Sequence, residues 1–273
     1  MTSTPYKIIV PVDFTEASDT AVAQASLLND TLPINIELLH IVNSEEHSKE
    51  EFLLDKIAEA LSEKGIIAFP KIIKGTVLSA INDYAKEGHF DLMVIGTHGA
   101  RGLRQNLFGA DILKLLKGNT CPSIVVQKTS HPVDHFERIL LPVGSHAEFS
   151  ILSLAVAKIA KASNATVLIY CINRPMEETS DDLNVNKQNA KQLFMELGVK
   201  VEEVSEPSTV VSFGFAKQTL LYAENNEIDM IAIMAHASSE HSYFANADKE
   251  RLLMNEKGIA ILCSPGVFKG SHH

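Results

Sequence analysis

The chain has 273 residues, 45% of them hydrophobic and 21% charged, an ordinary globular composition whose length calls for two domains. Its formal charge of −10, from 34 acids against 24 bases with no Lys/Arg cluster, argues against DNA or RNA as a partner. Cys121, Cys171 and Cys263 form an odd set without CxxC spacing, the start has no secretory pattern, and no run nears the ~18 apolar residues of a spanning helix, so a cytoplasmic protein without membrane contact is expected. The closing "KGSHH" looks like the start of a purification tag, and residues 270–273 are set aside.

In chain order, β-branched apolar runs predict strands near 7–12, 34–42, 66–73, 91–95 and 122–127, apolar enough to be covered on both faces. Helices fit between them at 16–29, 47–64, 76–87 and 110–117, the second with Phe52, Leu53, Ile57, Ala60 and Leu61 at helical spacing. The stretch 127–136, broken by Pro132, reads as a junction. Beyond it the pattern returns: "KIIVPVDF" at 7–14 recurs as "RILLPVGS" at 138–145, an offset of 131, and "DYAKEGHFDLMVIGTHGA" at 83–100 recurs as "LYAENNEIDMIAIMAHAS" at 221–238, an offset of 138. The expected domains are therefore 1–131 and 135–269. Each is an α/β unit, a doubly wound parallel sheet with helices on both faces.

In such sheets ligands bind beyond the carboxyl ends of the strands, where strand order reverses. "PVDF" follows the first strand and "GTHG" the fourth, so the two motifs would face one crevice. Glycines at 96, 99 and 109 suggest backbone that approaches a phosphate at a helix start. The second half lacks all three, with Met234, Ala237 and Ala247 at those places, so the fold itself is not expected to require them. It also has Gly144 for Asp13 and Asp248 for Ala110.

The segments "KIIVPVDFTEAS", "LLHIV", "DLMVIGTHGARGLRQNLFGA" and "CPSIVVQK" resemble the universal stress protein family, and the repeat makes the chain similar to a tandem member. The resemblance covers nearly all of the first half and, more weakly, the second. It implies five strands in the order 3-2-1-4-5 in each half, with the fifth strands pairing as an internal pseudo-dimer and a homodimer as a further option. It implies an adenine nucleotide (ATP, ADP or AMP) as a regulatory ligand of the first half, with Mg2+ only as its companion. By carry-over, Asp13 and the Ile41 backbone hold adenine and ribose, Pro11 and Gly96 line the ribose, Ile95 packs on the base, and Gly99 and Gly109 let backbone N–H groups approach phosphates, with Val12, Thr97, His98 and Ala110 beside them in the site. Arg101 and Arg104 are candidate phosphate contacts. Ala110 departs from the family's Ser or Thr, a loss worth about 1.5–3 kcal/mol at a charged group, and Asp111 sets an acid beside it.

Other readings compete. Asp13 could be only a turn or N-cap residue before Glu16, and His40 in an apolar strand, with Cys171 as counterpart, reads as a satisfied core histidine. His131, Asp134 and His135 lack dependable metal geometry. No phosphate-loop lysine motif, HExxH or GxSxG elbow is present, so no enzyme is expected, at most slow ATP hydrolysis. The alternatives are a protein-interaction module without nucleotide and an apolar ligand held by "VVSFGFAKQTLLY" in the second half.

Overall fold

A computed structural model describes residues 5–43, 45–97, 109–173, 180–208, 215–236 and 244–266. The first half runs β1 (Tyr6–Pro11), α1 (Glu16–Leu27), β2 (Ile34–Val42), α2 (Ser48–Glu63), β3 (Ile67–Lys74), α3 (Val77–Gly88), β4 (Leu92–Thr97), α4 (Gly109–Gly118) and β5 (Ser123–Gln127). The second runs β6 (Arg138–Pro142), α5 (Phe149–Ser163), β7 (Thr166–Asn173), α6 (Asp181–Glu196), β8 (Lys200–Pro207), α7 (Phe215–Asn225), β9 (Met230–Met234), α8 (Asn246–Leu253) and β10 (Ala260–Ser264). The strands of the first half lie within two residues of their expected places. The α1 helix is shorter than the expected 16–29 because the chain tightens into a 3-10 turn at Leu28–Asp30.

Both halves have the order 3-2-1-4-5, and they share one sheet, β3-β2-β1-β4-β5-β10-β9-β6-β7-β8. Every pairing within a half is parallel; β5 and β10 alone pair antiparallel, with Ile261 opposite Val125 and Leu262 opposite Ile124. All residues of both strands are buried, which explains why "SIVVQ" and "AILCS" carry so little polarity. The outer edges, β3 and β8, are exposed and blunted in different ways. Pro70 removes a donor from β3 and Lys71 and Lys74 flank it, while β8 presents Lys200, Glu202 and Glu203.

The register fixes the repeat. Ile8 lies opposite Leu92 as Ile139 lies opposite Met230, and Met93 opposite Ser123 as Ile231 opposite Ile261, which is the 131 and 138 correspondence read from sequence. Asn35–Ile67 returns as Thr166–Lys200, so the offset rises from 131 to 133 between β2 and β3 and reaches 138 only before β9. The extra length of the second half is thus spent in its connections and leaves the sheet intact.

The junction after β5 is docked against the first half. The Gln24 side chain of α1, 2% exposed, donates to the Val133 carbonyl at 2.9 Å and accepts from the Val133 N–H at 3.2 Å, and Phe136 just before β6 is 1% exposed. Gln24→Ala leaves both Val133 groups without this partner; it should lower unfolding free energy by about 1–3 kcal/mol in urea titration.

Candidate functional site

The reversal of strand order falls between β1 and β4. Those strands pair only at Ile8–Leu92 and Ile9–Met93, whereas β1 pairs with β2 all the way to Pro11. Beyond Met93 the carboxyl ends of β1 and β4 part, and the first turn of α1 lies across the opening. Pro11, Val12, Asp13, Ile41, Ile95, Gly96 and Thr97 leave three adjacent strands, β2, β1 and β4, at this one end. His98, Gly99, Arg101 and Arg104 lie outside the described residues, so only the rim of the expected phosphate loop can be placed.

The loop after β1 is held in a defined shape. Phe14 has φ +59°, a left-handed conformation that costs a residue with a Cβ about 1–3 kcal/mol. Three contacts maintain it. The Phe14 ring lies 4.7 Å from that of His40; His40 donates from Nδ1 to the Val12 carbonyl at 2.7 Å; and the Asp13 carboxylate accepts the Thr15 N–H at 3.2 Å and the Thr15 hydroxyl. His40 is half-buried and satisfied, as expected, and its work is to hold this loop. Asp13 does not cap α1. Thr15 does, in a reciprocal box with Ser18, and Asp13 braces it from two residues upstream while remaining exposed.

Gly96 overturns the expectation that the fold has no need of these glycines. A Cβ there would lie 2.0 Å from the Ala17 carbonyl oxygen and 2.8 Å from the Ser18 nitrogen, so β4 must be bare for the first turn of α1 to sit on it. The second half tolerates Met234 because α5 starts at Phe149, two residues later than α1 by the 131 offset, and does not press on that position in the same way. Ile95 is 2% exposed and belongs to the core. Thr97 is 1% exposed, and its buried hydroxyl has no hydrogen-bond partner among the described residues. Gly109 opens α4, Ala110 is exposed in its first turn, and Asp111 follows as that turn's acid.

The equivalent crevice of the second half is bound up by its own side chains. Lys249 of α8, fully buried, donates to the Ala235 carbonyl at 3.4 Å and to the His236 carbonyl. His146 donates from Nε2 to the same His236 carbonyl at 3.0 Å, and Asn186 of α6 donates to the carbonyls of Gly144 and His146 at 2.8 and 2.9 Å. Burial pushes the His146 imidazole down to about 4, aided by the Lys249 charge and opposed by the carbonyl bond, and burial brings the Lys249 ammonium down to about 8, with Lys117 acting in the same direction. Sequence reasoning missed this cluster, although Lys249, Leu252 and Leu253 share the i, i+3, i+4 spacing that marks a buried face.

Residues 210–214 of the apolar stretch lie outside the described residues; the rest of that stretch packs Phe215, Ala216, Gln218 and Thr219 inward on α7. His135 pairs with Asp134 at 2.6 Å on the surface. Among the described residues no group of three His, Cys, Asp or Glu side chains could hold a metal ion, and no helix is long and apolar enough to cross a membrane.

Fold and crevice together define a tandem, doubly wound α/β protein with a crevice at the point where strand order reverses, the two halves joined edge to edge. The universal stress protein family model matches residues 6–127, so the first half of the chain is similar to that family. It is 25% identical over 139 residues to universal stress protein MJ0531 of Methanocaldococcus jannaschii, covering 45% of this chain and 82% of the relative, and 26% identical over 107 residues to universal stress protein YxiE of Bacillus subtilis, covering 39% and 72%. The crystal structure of a universal stress protein from Archaeoglobus fulgidus matches the whole fold with a TM-score of 0.71 at 16% identity, over 95% of this chain and 98% of that one.

Two outcomes test this description. Gly96→Ala forces α1 off β4 and should cost about 1–3 kcal/mol or more in chemical unfolding. For His146 the unfolded chain binds a proton near the ordinary 6.5 while the fold resists to about 4, so stability should fall as pH drops through that window, by up to about 3 kcal/mol; His146→Gln, which keeps a donor and cannot titrate, should flatten that part of the stability–pH profile.

Proposed function

We propose that the first half binds an adenine nucleotide, ATP or a product of its hydrolysis, as a regulatory ligand in the crevice between β1 and β4, and that the second half is a structural or partner-binding domain. The observation that carries this reading is the contrast between the two crevices. In the second half Lys249, His146 and Asn186 already bond the backbone carbonyls there. In the first half the corresponding positions of Lys249 and His146 are Asp111 and Thr15, which make no bond across it among the described residues, and among them the buried Thr97 hydroxyl has no partner.

The residues suited to hold the ligand are Asp13, whose braced and exposed carboxylate can accept from ribose hydroxyls, and the backbone at Ile41 and Val12. Thr97 and the start of α4 at Gly109 stand on the phosphate side. Binding would work by population shift, with nucleotide favouring one arrangement of the loop between β4 and α4 and so altering the surface offered to other proteins. No residue on this crevice is assigned as a base or nucleophile, so the nucleotide is a ligand in this reading, with Mg2+ as its companion.

A second reading has support in α4 itself. Asp111 already places a negative charge at the helix N-terminus, where it is favourable on its own and competes with a phosphate. In that case the chain is an interaction module without nucleotide.

Mass spectrometry of small molecules released by denaturing freshly purified protein separates the two. AMP, ADP or ATP near one equivalent is expected. Asp13→Ala should weaken binding about 10- to 100-fold by calorimetry, the loss of hydrogen bonds to a charged acceptor. Protein free of nucleotide, with a melting temperature unmoved by millimolar ATP, would leave the interaction module.

A further inference from the structure

The antiparallel junction sends the last helix of each half toward the other half's crevice. The α4 helix starts at the first crevice with Gly109 and runs about 15 Å to the opposite end of the sheet. Ser123 of β5 lies opposite Cys263 of β10, so that end carries the second crevice. There Lys117 and Asn119, at the close of α4, line one cavity of about 180 Å³ together with His236 and Pro265. The α8 helix makes the reverse passage. It starts beside the second crevice, places Lys249 on the Ala235 and His236 carbonyls, and ends at Leu253 next to the carboxyl end of β5.

The two helices pack on each other, and one polar link ties them at each end. The Lys117 ammonium donates to the side-chain oxygen of Asn246, the first residue of α8, at 3.0 Å. The Gln127 amide donates to the Leu253 carbonyl at 2.9 Å, and its oxygen accepts from the Ser130 hydroxyl at 3.0 Å. Gln127 is buried and pairs in register with Thr97, the last residue of β4. The repeat supplies an internal control. At the offset of 138, Gln127 corresponds to Pro265, which has no side-chain donor, and Lys117 to Asn255, whose amide is committed to the Leu252 and Ile259 carbonyls. Neither link has a mate, so the pseudo-twofold packing of α4 on α8 does not by itself produce them. Each stands where a helix of one half meets the crevice end of the other.

We propose that the α4–α8 pair couples the two crevices: nucleotide in the first holds the second in its bonded arrangement, and Lys117 is the positioning residue that passes the effect. For its ligand this rests on the nucleotide reading above. Phosphate at the start of α4 favours the arrangement in which α4 keeps its place beside β4 and α8. The helix carries that constraint to Lys117, which holds Asn246 and with it the first turn of α8. Lys249, one residue further than that turn's acid, Asp248, then stays with His146 on the His236 carbonyl. Gln127 fixes the far end of α8 against β5. Coupling of this kind is reciprocal, so loosening the second crevice loosens α4. The second half is the output of the nucleotide signal.

Amide hydrogen exchange of the full chain, read by mass spectrometry, tests the coupling, with α2, which packs on β2 and β3, as the reference helix. Saturating ATP, its binding followed by calorimetry, should slow exchange in α8 at least about fivefold relative to α2. Lys117→Met should abolish that effect while still binding ATP, and Asn246→Asp, which turns the link into an ion pair, should keep it. A second arm needs no nucleotide. Asn186→Ala removes two carbonyl bonds from the second crevice at a half-buried position and should quicken exchange in α4 relative to α2, a response that Lys117→Met should cancel. ATP bound with α8 unmoved would overturn the coupling and leave the nucleotide site standing, and an ATP effect that survives Lys117→Met would overturn the role of Lys117. No ATP binding, with α4 still responding to Asn186→Ala through Lys117, would overturn the nucleotide reading and keep the coupling. An α4 indifferent to Asn186→Ala would overturn the coupling whether or not ATP binds.

Discussion

The antiparallel pairing of β5 with β10 is the constraint on which the rest of the structure depends. Either half alone would end in a strand of buried apolar residues with an unpaired backbone edge, a template for uncontrolled association. Joined, the two edges satisfy each other, and the ten strands present only β3 and β8 to solvent, where proline and charge take over the protection. The same pairing sets the geometry of function. Because it is antiparallel, the carboxyl ends of the two halves point in opposite directions, and their crevices open on opposite ends of the sheet.

The first crevice is built on close approach. The α1 helix begins directly over β4, which is possible only because Gly96 has no side chain, and the preceding loop is kept in place by a left-handed Phe14, the His40–Val12 bond and the Asp13–Thr15–Ser18 network. These features reinforce one another: each fixes the start of α1 from a different element. The second crevice reached stability by another route, with later-starting α5, a buried methionine and polar side chains that bond the exposed carbonyls. One shared outline thus supports a crevice built on helix packing and a crevice satisfied by its own polar side chains.

Much of this was legible in the chain. Strands covered on both faces must be apolar throughout, so "KIIVPV", "DLMVIG" and "SIVVQ" marked their own positions, and the repeat offsets passed unchanged into the sheet register. The clustering of Pro11, Asp13, Ile41, Gly96 and Thr97 at one end of the sheet followed from strand order. The role of Gly96 did not. Comparing the two halves suggested a position free to vary, but the comparison assumed that α1 and α5 start at the same height, and they do not. The cap of α1 was left open for a similar reason: Asp13, Thr15 and Ser18 are all good capping types, and only backbone geometry decides that Thr15 takes the place.

By itself the sequence determined the class of the protein: two related α/β halves, their strands and helices, the topological switch point and the family that the first half resembles. These depend on local periodicity and on motif spacing, which a chain carries in one dimension. The tertiary structure decided what is close to what: that Gly96 serves helix packing, that Lys249 and His146 turn into the second crevice, and that the linker docks on α1 through Gln24. Those outcomes depend on sub-ångström clearances and on contacts between residues far apart in the chain, and such distances exist only once the two halves have been folded and joined.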